Sequence, residues 1–165
     1  MMVNSLVSIP VVFTDLDSTL QIRSANSVDD QLILPVCRYI DKFARREWKV
    51  IGITNQGEHK PGGLTDDQID RELSILRAHL RLSNFSFSDF PIYYCPHGPG
   101  ERCKCKKPST FMFAEAKASL AMGGYAPDMS VSFMIGDQFT DYEFANNCRL
   151  SFISAQEILG YPRPF

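Results

Sequence analysis

The run Val11-Val12-Phe13-Thr14 ends in two carboxylates one residue apart, Asp15 and Asp17, followed by Ser18, Thr19 and Leu20. An unbroken apolar stretch of this kind reads as a strand buried on both faces, the form a strand takes inside a parallel sheet. The two acids then sit at its C-terminal end, the edge of an open α/β sheet where ligands bind. Carboxylates this close repel each other unless a cation intervenes, so the pair predicts a metal-assisted site. A solvated strand-to-turn Asp pair is the competing reading, because Asp and Ser favour turns.

Four further apolar stretches, at residues 49–54, 90–94, 131–135 and 150–153, read as strands. Helical patterns lie between them. Pro35 suits a first helical turn, and Val36, Ile40 and Phe43 line one side of a helix expected to end near Trp48. Thr65 through Gln68 has the form of a capping box, followed by an apolar stripe of Ile69, Leu73, Leu76 and Leu80. Ser109 is expected to cap a helix reaching Met122, a short helix ends near Asn147, and Ser154 through Glu157 matches a final capping box. This βαβαβαβαβα order predicts an α/β, Rossmann-like fold: a parallel sheet of about five strands with helices on both faces. Residues 1–9 read as a short lead and residues 18–34 as a polar connection, leaving no room for a large cap domain.

The 165 residues fit one domain. With 44% hydrophobic and 22% charged residues, the composition is globular, and the formal charge of -2 argues against broad attraction to nucleic acid or an anionic membrane. No apolar run approaches the roughly 20 residues of a membrane helix, and residues 1–10 lack the pattern of a secretory signal. A soluble, cytoplasmic protein is expected. Of five cysteines, three crowd into Cys95, Cys103 and Cys105, which suits a metal site in a reducing compartment. Cys37 and Cys148 read as small core residues.

The residues after the first four strands share one edge of such a sheet, and together they suit phosphoryl transfer. An ionised Asp15 can attack phosphorus without an activating base. Asp17 can protonate the leaving alcohol and later take a proton from water. Thr54 offers a hydroxyl, and the turn through Asn55 offers backbone N–H groups to phosphate oxygens, although Thr-Asn-Gln is also an ordinary turn. Lys107 would supply positive charge, with Lys106 as the competing choice. Asp15 and Asp137 suit Mg²⁺, a hard ion that takes oxygen ligands, while Asp141 would bind through water or hold Lys107. Helix capping is the plainer role for Asp137 and Asp141.

Cys95, His97, Cys103 and Cys105 form a Cys₃His set suited to structural tetrahedral Zn²⁺ within a loop at residues 95–107. A metal there would order a segment poor in apolar residues and fix Lys107 two residues past the last ligand. His59 and His79 read as ordinary polar residues.

Asp15-Leu16-Asp17-Ser18-Thr19, Thr54-Asn55-Gln56, Lys107-Pro108 and the segment from Gly136-Asp137 to Asp141 resemble the four ordered motifs of the haloacid dehalogenase superfamily of phosphatases. The resemblance implies Asp15 as nucleophile, Asp17 as acid and base, the Asp17 backbone carbonyl as a further Mg²⁺ ligand, and Thr54 and Lys107 as phosphate binders. The cysteine loop resembles that of the histidinol-phosphate and heptose bisphosphate phosphatases. The five residues between His97 and Cys103 are closer to the compact loop of the histidinol enzymes. Leu16 and Ser18 depart from that group's Asp-Arg-Asp-Gly-Thr.

The expected activity is a Mg²⁺-dependent phosphomonoesterase acting on a small phosphorylated metabolite, with histidinol phosphate ahead of a sugar phosphate. Glu58 and Glu101 are candidates to meet a cationic substrate. A polynucleotide 3′-phosphatase and a non-catalytic scaffold of the same fold are the alternatives, the former disfavoured by the lack of a basic stripe.

Overall fold

The computed structural model describes residues 5–23, 31–33 and 35–165. In chain order the elements are β1 (Val7–Ile9), β2 (Val11–Thr14), β3 (Gln21–Arg23), β4 (Gln31–Ile33), α1 (Val36–Ala44), β5 (Lys49–Asn55), a 3₁₀ turn (Gln56–His59), α2 (Asp66–Leu82), β6 (Ile92–Cys95), α3 (Phe111–Met122), β7 (Tyr125–Pro127), β8 (Phe133–Gly136), α4 (Phe139–Asn147), β9 (Ser151–Ser154) and α5 (Ala155–Ile158). The five expected strands form one parallel sheet in the order β6-β5-β2-β8-β9.

Alternation along the central strands explains how both faces are filled. Val12, Val50, Phe133 and Ile135 point to one side, where they join Ile40 of α1 and Leu73, Leu76 and Leu80 of α2. Val11, Phe13, Ile51, Ile53 and Met134 point to the other, against Met112, Phe113 and Ala116 of α3 and Phe144 of α4. Cys37 and Cys148 are buried in these two cores as expected, and burial pushes each thiol up to about 12. No helix among the described residues is long and apolar enough to cross a membrane.

Boundaries moved where the backbone turned. The first helix ends at Ala44 rather than near Trp48, because Glu47 takes a left-handed φ of 65° and the Trp48 N–H folds back to the Phe43 carbonyl. Thr65 and Gln68 do form their reciprocal cap, at 3.3 and 3.0 Å. The N-cap of α3 is Thr110, one residue beyond the expected Ser109, whose hydroxyl instead accepts from the Phe111 N–H and donates to the Lys104 carbonyl. Two short pairs were not expected: β1 runs parallel to β7, and β3 and β4 pair antiparallel inside the 18–34 connection. Residues 24–30 and 34 of that connection, and residues 1–4 of the lead, lie outside the described residues.

Strand order reverses at β2, which sits between β5 and β8. The C-terminal ends of β2 and β8 are therefore adjacent at a topological switch point, the crevice where doubly wound sheets bind ligands.

Candidate active site

Asp15 leaves the sheet directly after β2, with its N–H on the Ile135 carbonyl of β8 at 2.9 Å. Asp15 is 6% exposed, so its carboxylate lies almost out of water. Lys107 reaches it from the cysteine loop: Lys107 Nζ lies 2.6 Å from Asp15 Oδ1, 2.6 Å from Asp141 Oδ1 and 2.9 Å from the Ile53 carbonyl. The three donors of an ammonium thus all have acceptors. Lys106 turns away and donates to the Gly98 carbonyl at 2.8 Å, so Lys107 is the lysine brought to the acids.

Asp141 is fixed from two directions. Its Oδ2 accepts from the N–H groups of Asp137 and of the N-cap Gln138, at 3.1 and 3.0 Å, reaching back from the first turn of α4. Gly136 makes this possible, since a Cβ there would collide with the Asp141 side chain. Asp137 accepts from Thr19 Oγ1 at 3.2 Å, and Gln156 Nε2 donates to the Asp137 carbonyl at 3.2 Å.

One carboxylate oxygen from each of Asp15, Asp137 and Asp141 lies within 4.8 Å of the others. Burial pushes the Asp15 carboxyl well up; Lys107 opposes this, and the neighbouring Asp141 and Asp137 add to it. Asp137 is pushed up to about 6 by burial and then by Asp141, against the hydrogen bond from Thr19 and the charge of Lys107. For Lys107, burial works against the charge, yet Asp141 and Asp15 outweigh it and hold the ammonium well above its ordinary value. Three acids around one lysine leave excess negative charge in a buried spot. An oxygen-ligated cation such as Mg²⁺ would balance it, and the donor chemistry fits.

Asp17 is held by amides: Gln21 Nε2 lies 2.9 Å from its Oδ1 and Gln56 Nε2 lies 3.2 Å from its Oδ2. The Gln56 nitrogen also donates to Thr54 Oγ1 at 2.8 Å. Asn55 clamps the backbone of Lys107, accepting from its N–H at 2.9 Å and donating to its carbonyl at 3.4 Å. A small cleft is lined by Asp15, Asp17, Thr54, Asn55, Lys107 and Asp141, with Glu58, His59, Gln138 and Thr140 around it. Glu101 is elsewhere, its carboxylate accepting from the Gly98 N–H within the cysteine loop.

The cysteine loop gathers its four expected ligands. Cys95 Sγ lies 3.4 Å from His97 Nδ1 and 3.6 Å from Cys103 Sγ, and Cys105 Sγ lies 3.3 Å from His97 Nδ1. Tetrahedral zinc places sulfurs about 3.8 Å apart and sulfur about 3.5 Å from nitrogen, so these edges fit that ion. Gly57 lets the turn after β5 approach this loop, for a Cβ there would strike the Pro96 carbonyl.

Reading the sequence missed Gln21, Gln56, Thr19 and Gln156 as contributors. Thr19 and Gln56 lay inside the quoted phosphatase motifs and Gln156 inside the expected capping box, but an amide carries no sequence mark of what it will touch. Leu16 is fully buried in the core beneath the sheet, so its departure from the Asp-Arg-Asp-Gly-Thr pattern faces the interior. Ser18 takes a left-handed φ of 61°, the conformation for which that pattern's glycine is suited.

The five-stranded parallel sheet, with acids, a buried lysine and a hydroxyl at its switch point, carries the donor set that phosphoryl transfer needs, as the motifs' resemblance implies. The D-glycero-beta-D-manno-heptose-1,7-bisphosphate 7-phosphatase of Haemophilus ducreyi is 30% identical over 139 residues, covering 79% of this chain and 73% of that protein. The enzyme of the same name from Photorhabdus laumondii is 28% identical over 152 residues, covering 86% of this chain and 77% of the relative. The fold matches the D,D-heptose 1,7-bisphosphate phosphatase of B. bronchiseptica, solved with magnesium and phosphate, with a TM-score of 0.68 at 21% identity over 87% of this chain and 79% of that one. No protein-family model matches the chain. The chain belongs to the haloacid dehalogenase superfamily of phosphatases, and within it to the heptose-bisphosphatase type. It is a hydrolase of phosphoric monoesters.

Proposed function

We propose that this phosphatase removes one phosphate from a sugar bisphosphate through an aspartyl-phosphate intermediate, using Mg²⁺ held by Asp15, Asp137 and the Asp17 carbonyl. The observation that carries this reading is the buried Lys107 ammonium, 2.6 Å from both Asp15 and Asp141, beside Asp137 at the switch point. In the first step a carboxylate oxygen of Asp15 forms a bond to phosphorus as the bond to the leaving oxygen breaks. Asp17 gives that oxygen its proton, then takes one from the water that attacks the aspartyl phosphate and releases inorganic phosphate. Thr54 and the turn at Asn55 hold the phosphoryl oxygens, and Lys107 lays its charge beside them, the N–H it gives Asp15 passing to a phosphoryl oxygen as that carboxylate is esterified. The metal, when bound, offsets the charge gathered on those oxygens.

Names of the relatives favour a sugar bisphosphate over histidinol phosphate, reversing the preference drawn from loop length. Glu58 at the cleft keeps a cationic substrate worth testing. The Cys₃His cluster would hold structural Zn²⁺, leaving no open position for a catalytic water. One phosphatase domain would span residues 1–165, with the metal loop at 95–107. Its closely grouped thiols suit the reducing cytoplasm.

Phosphate release is to be measured with and without Mg²⁺ on heptose 1,7-bisphosphate, histidinol phosphate and a 3′-phosphorylated oligonucleotide. Mg²⁺-dependent release from the heptose, lost in Asp15→Asn, is expected. Undiminished release by that variant overturns the mechanism, and preference for either other substrate overturns the substrate reading.

A further inference from the structure

We propose that Gln21 and Gln56 are positioning residues for the acid–base carboxyl, a two-sided amide clamp that aims Asp17 at the leaving oxygen. The inference rests on the reading of Asp17 as acid and base. Its two carboxyl oxygens are engaged separately, Oδ1 by Gln21 Nε2 at 2.9 Å and Oδ2 by Gln56 Nε2 at 3.2 Å. Hydrogen bonds to both oxygens fix the plane of the group as well as its position. A proton donor needs that control, because transfer requires hydrogen-bond reach to the departing oxygen.

Both glutamines are buried, at 1% and 2% exposure. Gln21 is seated by the backbone: its carbonyl accepts from the Ser18 N–H at 2.7 Å and its N–H donates to the Leu16 carbonyl at 3.2 Å, closing the turn that carries Asp17. Among the described residues its Oε1 is buried with no hydrogen-bond partner. Burial of an unpaired carbonyl oxygen opposes folding, so packing alone would favour an apolar residue here. The amide N–H on Asp17 is what the apolar residue would lack. Gln56 has a wider reach, since the same nitrogen lies 2.8 Å from Thr54 Oγ1 and ties the acid to the phosphate seat.

The test separates leaving groups. Heptose 1,7-bisphosphate would release an alkoxide that needs a proton, whereas p-nitrophenyl phosphate releases an anion stable at neutral pH. Gln21→Met keeps the length and removes the donor. We expect it to lose about 10-fold or more in kcat on the heptose, part of the ~10²- to 10⁴-fold a general acid supplies, and less than about threefold on the nitrophenyl ester. Gln56→Met should show the same selectivity and also raise KM, through Thr54. If Gln21→Met does not fold, Gln21→Glu puts a second acceptor against Asp17 and carries the same comparison. Equal loss on both substrates, or loss on neither, overturns the clamp. Asp17→Asn is measured alongside: selectivity there without selectivity in the glutamine variants defeats this inference alone. Its absence in Asp17→Asn removes the acid–base reading and the clamp with it.

Discussion

Lys107 and Asp141 form a 2.6 Å ion pair with side chains 3% and 2% exposed. The pair ties together two segments with little in common in sequence, the end of the cysteine loop and the first turn of α4. Asp141 uses one oxygen for Lys107 and the other for the backbone N–H groups of Asp137 and Gln138. A shift in the loop is thereby felt at Asp137, and the acids and the lysine are held as a unit.

Removing the cation should expose that dependence. Lys107→Met leaves Asp15, Asp137 and Asp141 facing one another without an internal countercharge, and breaking a buried pair from one side costs about 3–5 kcal/mol. Thermal melts should show a large fall in Tm, and phosphate release should drop by more than about 100-fold. Added Mg²⁺ should raise the Tm of the variant more than that of the wild type, because the ion then supplies the missing positive charge. Equal shifts in the two proteins would count against a cation site among these acids.

The cysteine loop should hold a single zinc ion per chain when the protein is purified without chelator. Cys105→Ser is expected to lower that content, and to reduce activity because Cys105 lies two residues before Lys107. The Asn55 clamp on the Lys107 backbone provides a second anchor, so Cys105→Ser combined with Asn55→Ala should lose more than the product of the single effects. Elemental analysis and phosphate release read the two expectations separately.

Strand ends were the legible part of this chain. Each of the five sheet strands is an apolar run bounded by turn chemistry, and the residues following the first four reach one sheet edge by topology alone. The short pairs β1–β7 and β3–β4 were illegible because three residues carry too little periodicity, and β7 ends in Pro127, a residue that argues against a strand. The burial of Leu16 could not be read from a motif written as alternating acids. Nor could the amides on Asp17, since Gln21 reaches it only because the backbone folds back from residue 16 to residue 21.

Ser18 stands at φ 61°, where a side chain is unfavourable and glycine is not. Ser18→Gly should therefore raise stability by about 0.5–1 kcal/mol, visible as a higher denaturant midpoint with an unchanged slope. A fall in the midpoint would mean that the serine side chain contributes more than its backbone conformation costs.

Asp41 offers a pH test away from the site. It lies near the end of α1, with Oδ1 accepting from the Ser86 N–H at 2.7 Å and from the Ser86 hydroxyl at 2.6 Å, and Oδ2 accepting from Arg45 at 2.6 Å. Burial pushes its carboxyl up, but the Ser86 bonds and Arg45 outweigh this and hold it below its ordinary value. The ionised form is thus favoured in the folded chain. Its contribution is fully present above the unfolded carboxylate value of about 3.9 and is lost as pH falls through the lower folded value. Asp41→Asn should cost about 1–2 kcal/mol at neutral pH, and the gap between wild type and variant in urea melts should hold down to about pH 4 and close below it. A gap that stays constant into strong acid would show that Asp41 contributes by shape rather than by charge.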